Sequence, residues 1–412
     1  MDSAHAGTLG TSSFFRDKIL LGMGLGEYLR SLLTPFNVIA GAILAVGVPV
    51  LIYRFAAGLG ASTNLSQAYP WGLWIGFDMM CGVVLAAGGF TIGASVQLLG
   101  LKAYHPIERP AILTAFIGYV MAVVGLLADL GRPWNIVMAL VNAGTASALF
   151  EIAWCVMCYT TVLLLEFTVP FFEWLGWRRI HAVLKKALLA LTVLSVMFST
   201  MHQSALGSLF LLAPTKLHPL WYSSFIFIFF FISAILAGLS MVIIESALSH
   251  RVFARRMEGQ GHVDVDALTI GLGKAAAMVS FAYFFLKLQG VIDGHAWGYL
   301  PSAYGALFLV ETVGLVLGPS LLFAWGARHR KVRPIRIGAI LAVCGIILNR
   351  LDVSIFAFNW QNPVRYVPSW MELIVSLTLV TVGVLAFRWV CNRMPILFED
   401  PAFADDAEGT TP

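Results

Sequence analysis

Residues 73–100 read LWIGFDMMCGVVLAAGGFTIGASVQLLG, a stretch of 28 residues with one charged side chain, Asp78. Its length and apolarity suffice to cross about 30 Å of hydrocarbon. A carboxylate in such a setting is expensive, so it is expected to face the protein interior, find a partner and mark a site. Nine further runs of this kind lie near 36–56, 110–130, 147–172, 185–212, 221–248, 267–291, 302–326, 335–357 and 367–392. The chain is 59% hydrophobic and 12% charged, with a mean hydropathy of +0.84, which excludes a soluble globular domain. The expected fold class is an all-α polytopic membrane protein of about ten transmembrane helices. Pro, Gly and Asn punctuate its short loops, and Trp at the segment ends fits an aromatic belt.

Flanking regions are predicted differently. Residues 13–33 space Leu20, Leu21, Leu25, Tyr28, Leu29 and Leu32 as in an interfacial amphipathic helix. Residues 399–412 read as a short acidic disordered tail. No cleavable signal peptide is visible, so the first span is expected to act as its own signal. Counting Lys and Arg sets the orientation. With the N-terminus inside, 19 basic residues fall in cytoplasmic loops and three (Arg132, Lys216, Arg365) in the opposite loops. Both termini are therefore expected in the cytoplasm of a bacterial cell, with the chain in its inner membrane.

That orientation places Asp78, Asp129, Arg132, Glu151, His202, Lys287, Arg350, Asp352 and Glu372 toward the outer side. Asp78, Asp129, Arg132, Glu151, His202 and Gln203, from the second to fifth segments, are the candidate pocket. Carboxylates, imidazole and amide at neighbouring helix ends suit quinone reduction, which needs donors to two carbonyls and a relay of two protons. Asp129–Arg132 either joins that site or staples helix ends. Glu166, Glu245 and Lys274 toward the cytoplasm, and Glu311 near mid-depth, are candidate steps of a proton path. Alternatively, the first three simply reach the inner interface.

Resident redox cofactors are not expected. Of nine histidines only His202 sits well inside a segment, and a b-type haem normally takes two facing ligands. Cys155 and Cys158 lack the second cysteine pair of an iron–sulfur site and read as small residues at a helix interface. The five cysteines all lie in apolar stretches, so no disulfide framework or metal site is expected. Gly88-Gly89 and Gly271-Leu272-Gly273 read as close helix contacts rather than nucleotide loops.

Several motifs then carry a family resemblance: Pro70-Trp71-Gly72-Leu73-Trp74-Ile75-Gly76-Phe77-Asp78, Tyr104-His105-Pro106, Asp129-Leu130-Gly131-Arg132, Leu149-Phe150-Glu151, Met201-His202-Gln203-Ser204, His218-Pro219-Leu220-Trp221 and Pro368-Ser369-Trp370-Met371-Glu372-Leu373. In this order, over nearly the whole chain, they resemble the NrfD/PsrC family of quinone-interacting membrane subunits. Within it they are most similar to the HybB-type "cytochrome b-type" subunits of periplasmic NiFe hydrogenases. The resemblance implies two stacked four-helix bundles plus two extra helices, without haem. The quinone bundle would cover about 73–212 and the second about 221–357, between an N-terminal segment 1–35 and a tail 393–412. It also implies a menaquinone or ubiquinone pocket near the outer face, where a ferredoxin-like subunit with 4Fe–4S clusters docks and relays electrons from a catalytic subunit. By motif position Asp78 and His202 are the quinone-protonating candidates. One loop departs from the pattern: Phe358-Asn359-Trp360-Gln361-Asn362-Pro363 replaces a Gly-rich sequence after Phe-Asn-Pro.

The expected function is a quinone-reactive subunit of a periplasm-facing oxidoreductase complex, not catalytic alone, with hydrogenase the first choice of donor. A multihaem-cytochrome or molybdopterin complex is the nearest alternative. A secondary transporter or an inert anchor is the alternative of another class. Quinone, lipid and protein subunits are the expected partners, and nucleic acid is not.

Overall fold

The computed structural model describes residues 15–141, 144, 147–254, 264–398 and 403. Among them run ten helices long and apolar enough to cross a membrane: α1 (Pro35–Ala57), α2 (Trp74–Leu98), α3 (Lys102–Asp129), α4 (Ala148–Leu175), α5 (Arg178–Leu212), α6 (Ile226–Val252), α7 (Val265–Asp293), α8 (Ala303–Arg328), α9 (Val332–Phe356) and α10 (Trp370–Cys391). Each matches a run read from sequence. The largest difference is at α3, which starts eight residues before position 110. Pro106 occupies its first turn, where a missing N–H is harmless, so the helix extends below the apolar run.

Local chemistry sets the ends. Thr34, Ser147, Asp264, Ser302 and Ser369 each accept a backbone N–H in the first turn of the helix they precede. Gly176 ends α4 at φ +79°, a conformation that suits glycine. Residues 13–33 do not form the single amphipathic helix expected. A turn at Phe15–Ile19 and a helix at Leu25–Ser31 are separated by Leu21 and Gly22, both at positive φ. Residues 13 and 14 lie outside the described residues, as does the acidic tail 399–412 apart from Phe403.

Helices α2–α5 pack as one ring and α6–α9 as a second; α2 and α5 meet α6 between them. α1 and α10 pack on each other, and α10 rests on α3. Small residues make the close approaches. A Cβ on Gly89 would stand 2.5 Å from Ala115, and one on Gly238 2.7 Å from the Ala87 backbone. Gly273 likewise abuts Ile335. Around this core, large apolar side chains such as Met278, Phe285, Leu321 and Leu373 face outward, as an integral multi-pass membrane protein requires.

At one end, which carries the basic loops, Lys18 donates to the Trp174 carbonyl and Arg109 to that of Pro395, while Arg388 reaches Asn37. At the far end, Asn64 binds the Val367 carbonyl, Asn359 that of Ala68, and Ser369 that of Ser62. The chain's short loops are thus stitched together at both ends.

Candidate functional site

Asp78 lies in a wide, π-type turn at the start of α2, Trp74–Met79. Such turns break helical register and recur at functional sites. Two further buried acids share this setting, Glu311 in Val310–Leu317 and Asp352 in Asp352–Phe356. One oxygen of Asp78 accepts from the Ser376 hydroxyl of α10 at 2.5 Å. Gly125 of α3 lies so close that a Cβ there would be 2.7 Å from that of Asp78. Asp78 lines the far end of a cavity of about 680 Å³ between α2, α3, α6 and α10. Its wall is hydrocarbon from Phe77, Leu85, Met121, Met241, Leu379 and Phe387, among others, interrupted toward the basic end by Thr114, Glu245 and Arg388. Thr114 donates to Glu245 at 2.8 Å.

The remaining pocket candidates divide into two groups. His202 and Gln203 are fully buried on α5, facing the interior of the α2–α5 ring. His202 Nδ1 meets the Tyr119 hydroxyl at 3.2 Å, and the Gln203 amide donates to the Val83 carbonyl of α2. Val83 is five residues along α2 from Asp78, so α2 and α3 stand between His202 on one side and the cavity on the other. Asp129 ends α3, and its charged neighbours are Glu372 of α10 and Arg54 of α1 rather than Arg132. Arg54 is buried and donates to the carbonyls of Ala128 and Leu130, capping the end of α3. Arg132 and Glu151 are exposed and join neither group.

The four proton-path candidates are not brought together. Glu166 is buried inside the first ring, 3.5 Å from the Thr192 hydroxyl. Glu245 lines the cavity and Lys274 is exposed. Glu311 lies in the second ring, in a buried lattice at the far end. It pairs with Lys287, accepts from Trp221 at 2.7 Å and from Asn349 at 2.9 Å. Asn349 in turn holds Arg350, which also donates to Ser233 and the Phe230 carbonyl. Asp352 is wholly buried beside Glu311 and Trp221. Glu372 anchors the far-end loops: it accepts from the backbones of Asn64 and Ser369 and from the Tyr366 hydroxyl. Burial and that carboxylate together push the Tyr366 hydroxyl pKa up.

Sequence reading placed only one histidine in the interior, yet His181 and His218 are also buried. His218, in the loop before α6, is enclosed by the rings of Trp221, Tyr299, Tyr304 and Trp360, and burial lowers its pKa to about 4. It is neutral at pH 7. Sequence reasoning also missed Tyr119, Tyr159 and Ser376, whose types look like ordinary helix residues. Ser376, four residues after Glu372, was the one with a signal in its spacing. Among the described residues no three His, Cys, Asp or Glu side chains converge to hold a metal ion.

Fold and interior define a polytopic membrane protein with buried acids and bases inside two helical rings, in the cavity beside them and at the far-end loops. The chain belongs to the NrfD family: the profile described as "Polysulphide reductase, NrfD" matches residues 61–359. It is 48% identical over 379 residues to a protein of Nitratidesulfovibrio vulgaris, covering 91% of this chain and 98% of that one. It is 30% identical over 364 residues to the "probable Ni/Fe-hydrogenase 2 b-type cytochrome subunit" of Escherichia coli, covering 87% and 91%. The "menaquinone reductase, integral membrane subunit" of N. vulgaris is 24% identical over 379 residues, covering 84% and 87%.

Proposed function

We propose that this chain is the membrane subunit of a respiratory complex, exchanging electrons between an iron–sulfur subunit docked at its far end and the quinone pool. The observation that carries the reading is the cavity of about 680 Å³ with Asp78 at its far end. Its size is within the roughly 300–1,000 Å³ of small-molecule sites. Leu248, Val380 and Val384 belong both to its lining and to the outer or partly outer surface, so a lipid-soluble molecule has a way in. A polyprenyl tail suits the hydrocarbon wall, and a quinone carbonyl suits the carboxyl end. Menaquinone and ubiquinone both meet this description; the N. vulgaris relative's name favours menaquinone.

Reduction adds two electrons and two protons to the quinone and forms two O–H bonds. Asp78, held by Ser376, orients one carbonyl and supplies a proton; His202, behind α2, is the second proton-handling group. The excess of basic residues at the other end supports an inner-membrane orientation with the far end periplasmic. The E. coli relative supports a NiFe hydrogenase as the electron source. That relative's name includes a b-type cytochrome, but the residues here do not fit a b-haem. His181 and His202 share helix α5 and are 21 residues apart, about 32 Å along its axis, while His218 sits among aromatic rings in a far-end loop. We therefore read the chain as haem-free.

In the complex with its partner subunits, Asp78→Asn is expected to lower quinone reduction at least 100-fold, the range of lost proton-transfer catalysis, and His202→Ala, which lies off the cavity, about 10-fold. Partner activity with a soluble acceptor should stay intact. Normal quinone turnover in both variants refutes the assignment.

A further inference from the structure

The cavity that ends at Asp78 is polar at its other end as well. There Glu245 of α6 lines it, and one carboxyl oxygen, Oε2, accepts from the Thr114 hydroxyl of α3 at 2.8 Å. The other oxygen, Oε1, is shielded from solvent and has no hydrogen-bond partner in the protein. Arg388, the cation in this part of the lining, is already engaged: it donates to Asn37 at 3.2 Å and lies over the Phe36 ring. A carboxyl oxygen left in hydrocarbon without a partner is costly. One beside a cavity calls for a polar group on whatever enters.

The two polar ends are well separated. Gly125, which abuts Asp78, and Thr114, which holds Glu245, lie eleven residues apart on α3, about 16 Å along its axis. Between them the wall is apolar, with Leu85, Met121 and Leu379. The way in from the bilayer is on the Glu245 side. The exposed lining residues are Phe36, Leu248 and Val252 at the basic end, with Val380 and Val384 from the middle of α10 toward that end. At the far end Asp78 and Cys81 are buried. A molecule entering from the hydrocarbon therefore meets Glu245 before Asp78, and one leaving passes it again.

We propose that Glu245, oriented by Thr114, is a second station for the quinone head, holding it by one hydrogen bond on its way between the bilayer and Asp78. The carboxyl accepts from a quinol hydroxyl when ionised and donates to a quinone carbonyl when protonated, so one group serves both the leaving and the entering form. With the head at Asp78, the first isoprenoid units occupy the apolar stretch, and the rest of the tail leaves past Glu245. The proposal rests on the quinone reading above and adds how the molecule is exchanged. Glu245 acts in capture and release and passes no proton to the reacting carbonyls.

The test uses the complete complex in nanodiscs, with reduced viologen as electron source and a menaquinone with a short prenyl tail as acceptor. Glu245→Leu should lower kcat/KM for that menaquinone by about three- to ten-fold, the worth of one hydrogen bond, and change kcat by less than about two-fold. Glu245→Gln, whose amide can still bond the head, should keep most of the wild-type kcat/KM. Thr114→Val, which removes only the orienting hydroxyl, should show the loss of Glu245→Leu in smaller measure. An unchanged kcat/KM in Glu245→Leu overturns the station. So does a parallel fall of kcat in Glu245→Leu and Glu245→Gln, which would make Glu245 a proton-transfer group. Either result leaves the quinone site standing when Asp78→Asn lowers turnover in the same assay. Normal turnover in Asp78→Asn overturns the quinone reading and the station with it.

Discussion

The two helical rings both hold buried polar groups and differ in how they partner them. In the second ring Lys287, Glu311, Asn349, Arg350, Ser233 and Trp221 answer one another through direct bonds. Asp352, buried beside Glu311 and Trp221, and the hydroxyls of Ser240 and Thr312 are the exceptions, without a bond of good geometry. In the first ring Ser195, Ser199, Tyr159, His202 and Gln203 present atoms with no protein partner. Charges locked pairwise have little freedom to pass a proton onward. Unpaired hydroxyls in a row retain that freedom, and water between them can reorient. On the proposed reading, the second ring is scaffold and the first the working part.

Stability measurements in detergent can break this comparison. Glu311→Ala leaves Lys287 buried with no counter-charge and should cost about 3–5 kcal/mol, read as a large fall in melting temperature and yield. The double replacement Lys287→Met with Glu311→Leu removes both charges and should recover most of that loss, since an apolar pair of similar volume is often as stable as a buried ion pair. If the double variant is as damaged as the single, the lattice does more than hold helices. Ser199→Ala sharpens the other side. Its hydroxyl has no protein partner, so stability should change by less than about 1 kcal/mol. Quinone turnover should nevertheless slow severalfold. A loss of stability matching that of Glu311→Ala would erase the distinction between the rings.

The ten spans were legible because a bilayer forces every crossing to be a long apolar helix, and boundary shifts arose where a proline or turn extended or delayed a helix. The N-terminal segment was misread because a hydrophobic repeat says nothing of Leu21 and Gly22 at positive φ. The membrane-embedded ionisable residues were legible for the same reason as the spans. Their partners were not. Asp129 was weighed against Arg132, three residues away, but its charged neighbours are Glu372 and Arg54 from two other helices. Pairing depends on how helices are rotated and which stand side by side, and a single sequence leaves that undetermined. Tyr119 and Tyr159 stayed hidden because an aromatic residue in a span reads first as packing. Glu311, near mid-depth, read as a step of a proton path, but the turn that carries it directs it to Lys287.

The central claim is that quinone occupies the cavity bounded by α2, α3, α6 and α10 with its head toward Asp78. Photolabelling the intact complex with an azido-menaquinone, followed by peptide mapping, tests it most directly. The account predicts label on the Phe77–Ala86 stretch of α2 and on the Leu379–Phe387 stretch of α10, suppressed by excess unlabelled menaquinone. Displaceable label confined to other helices would contradict it.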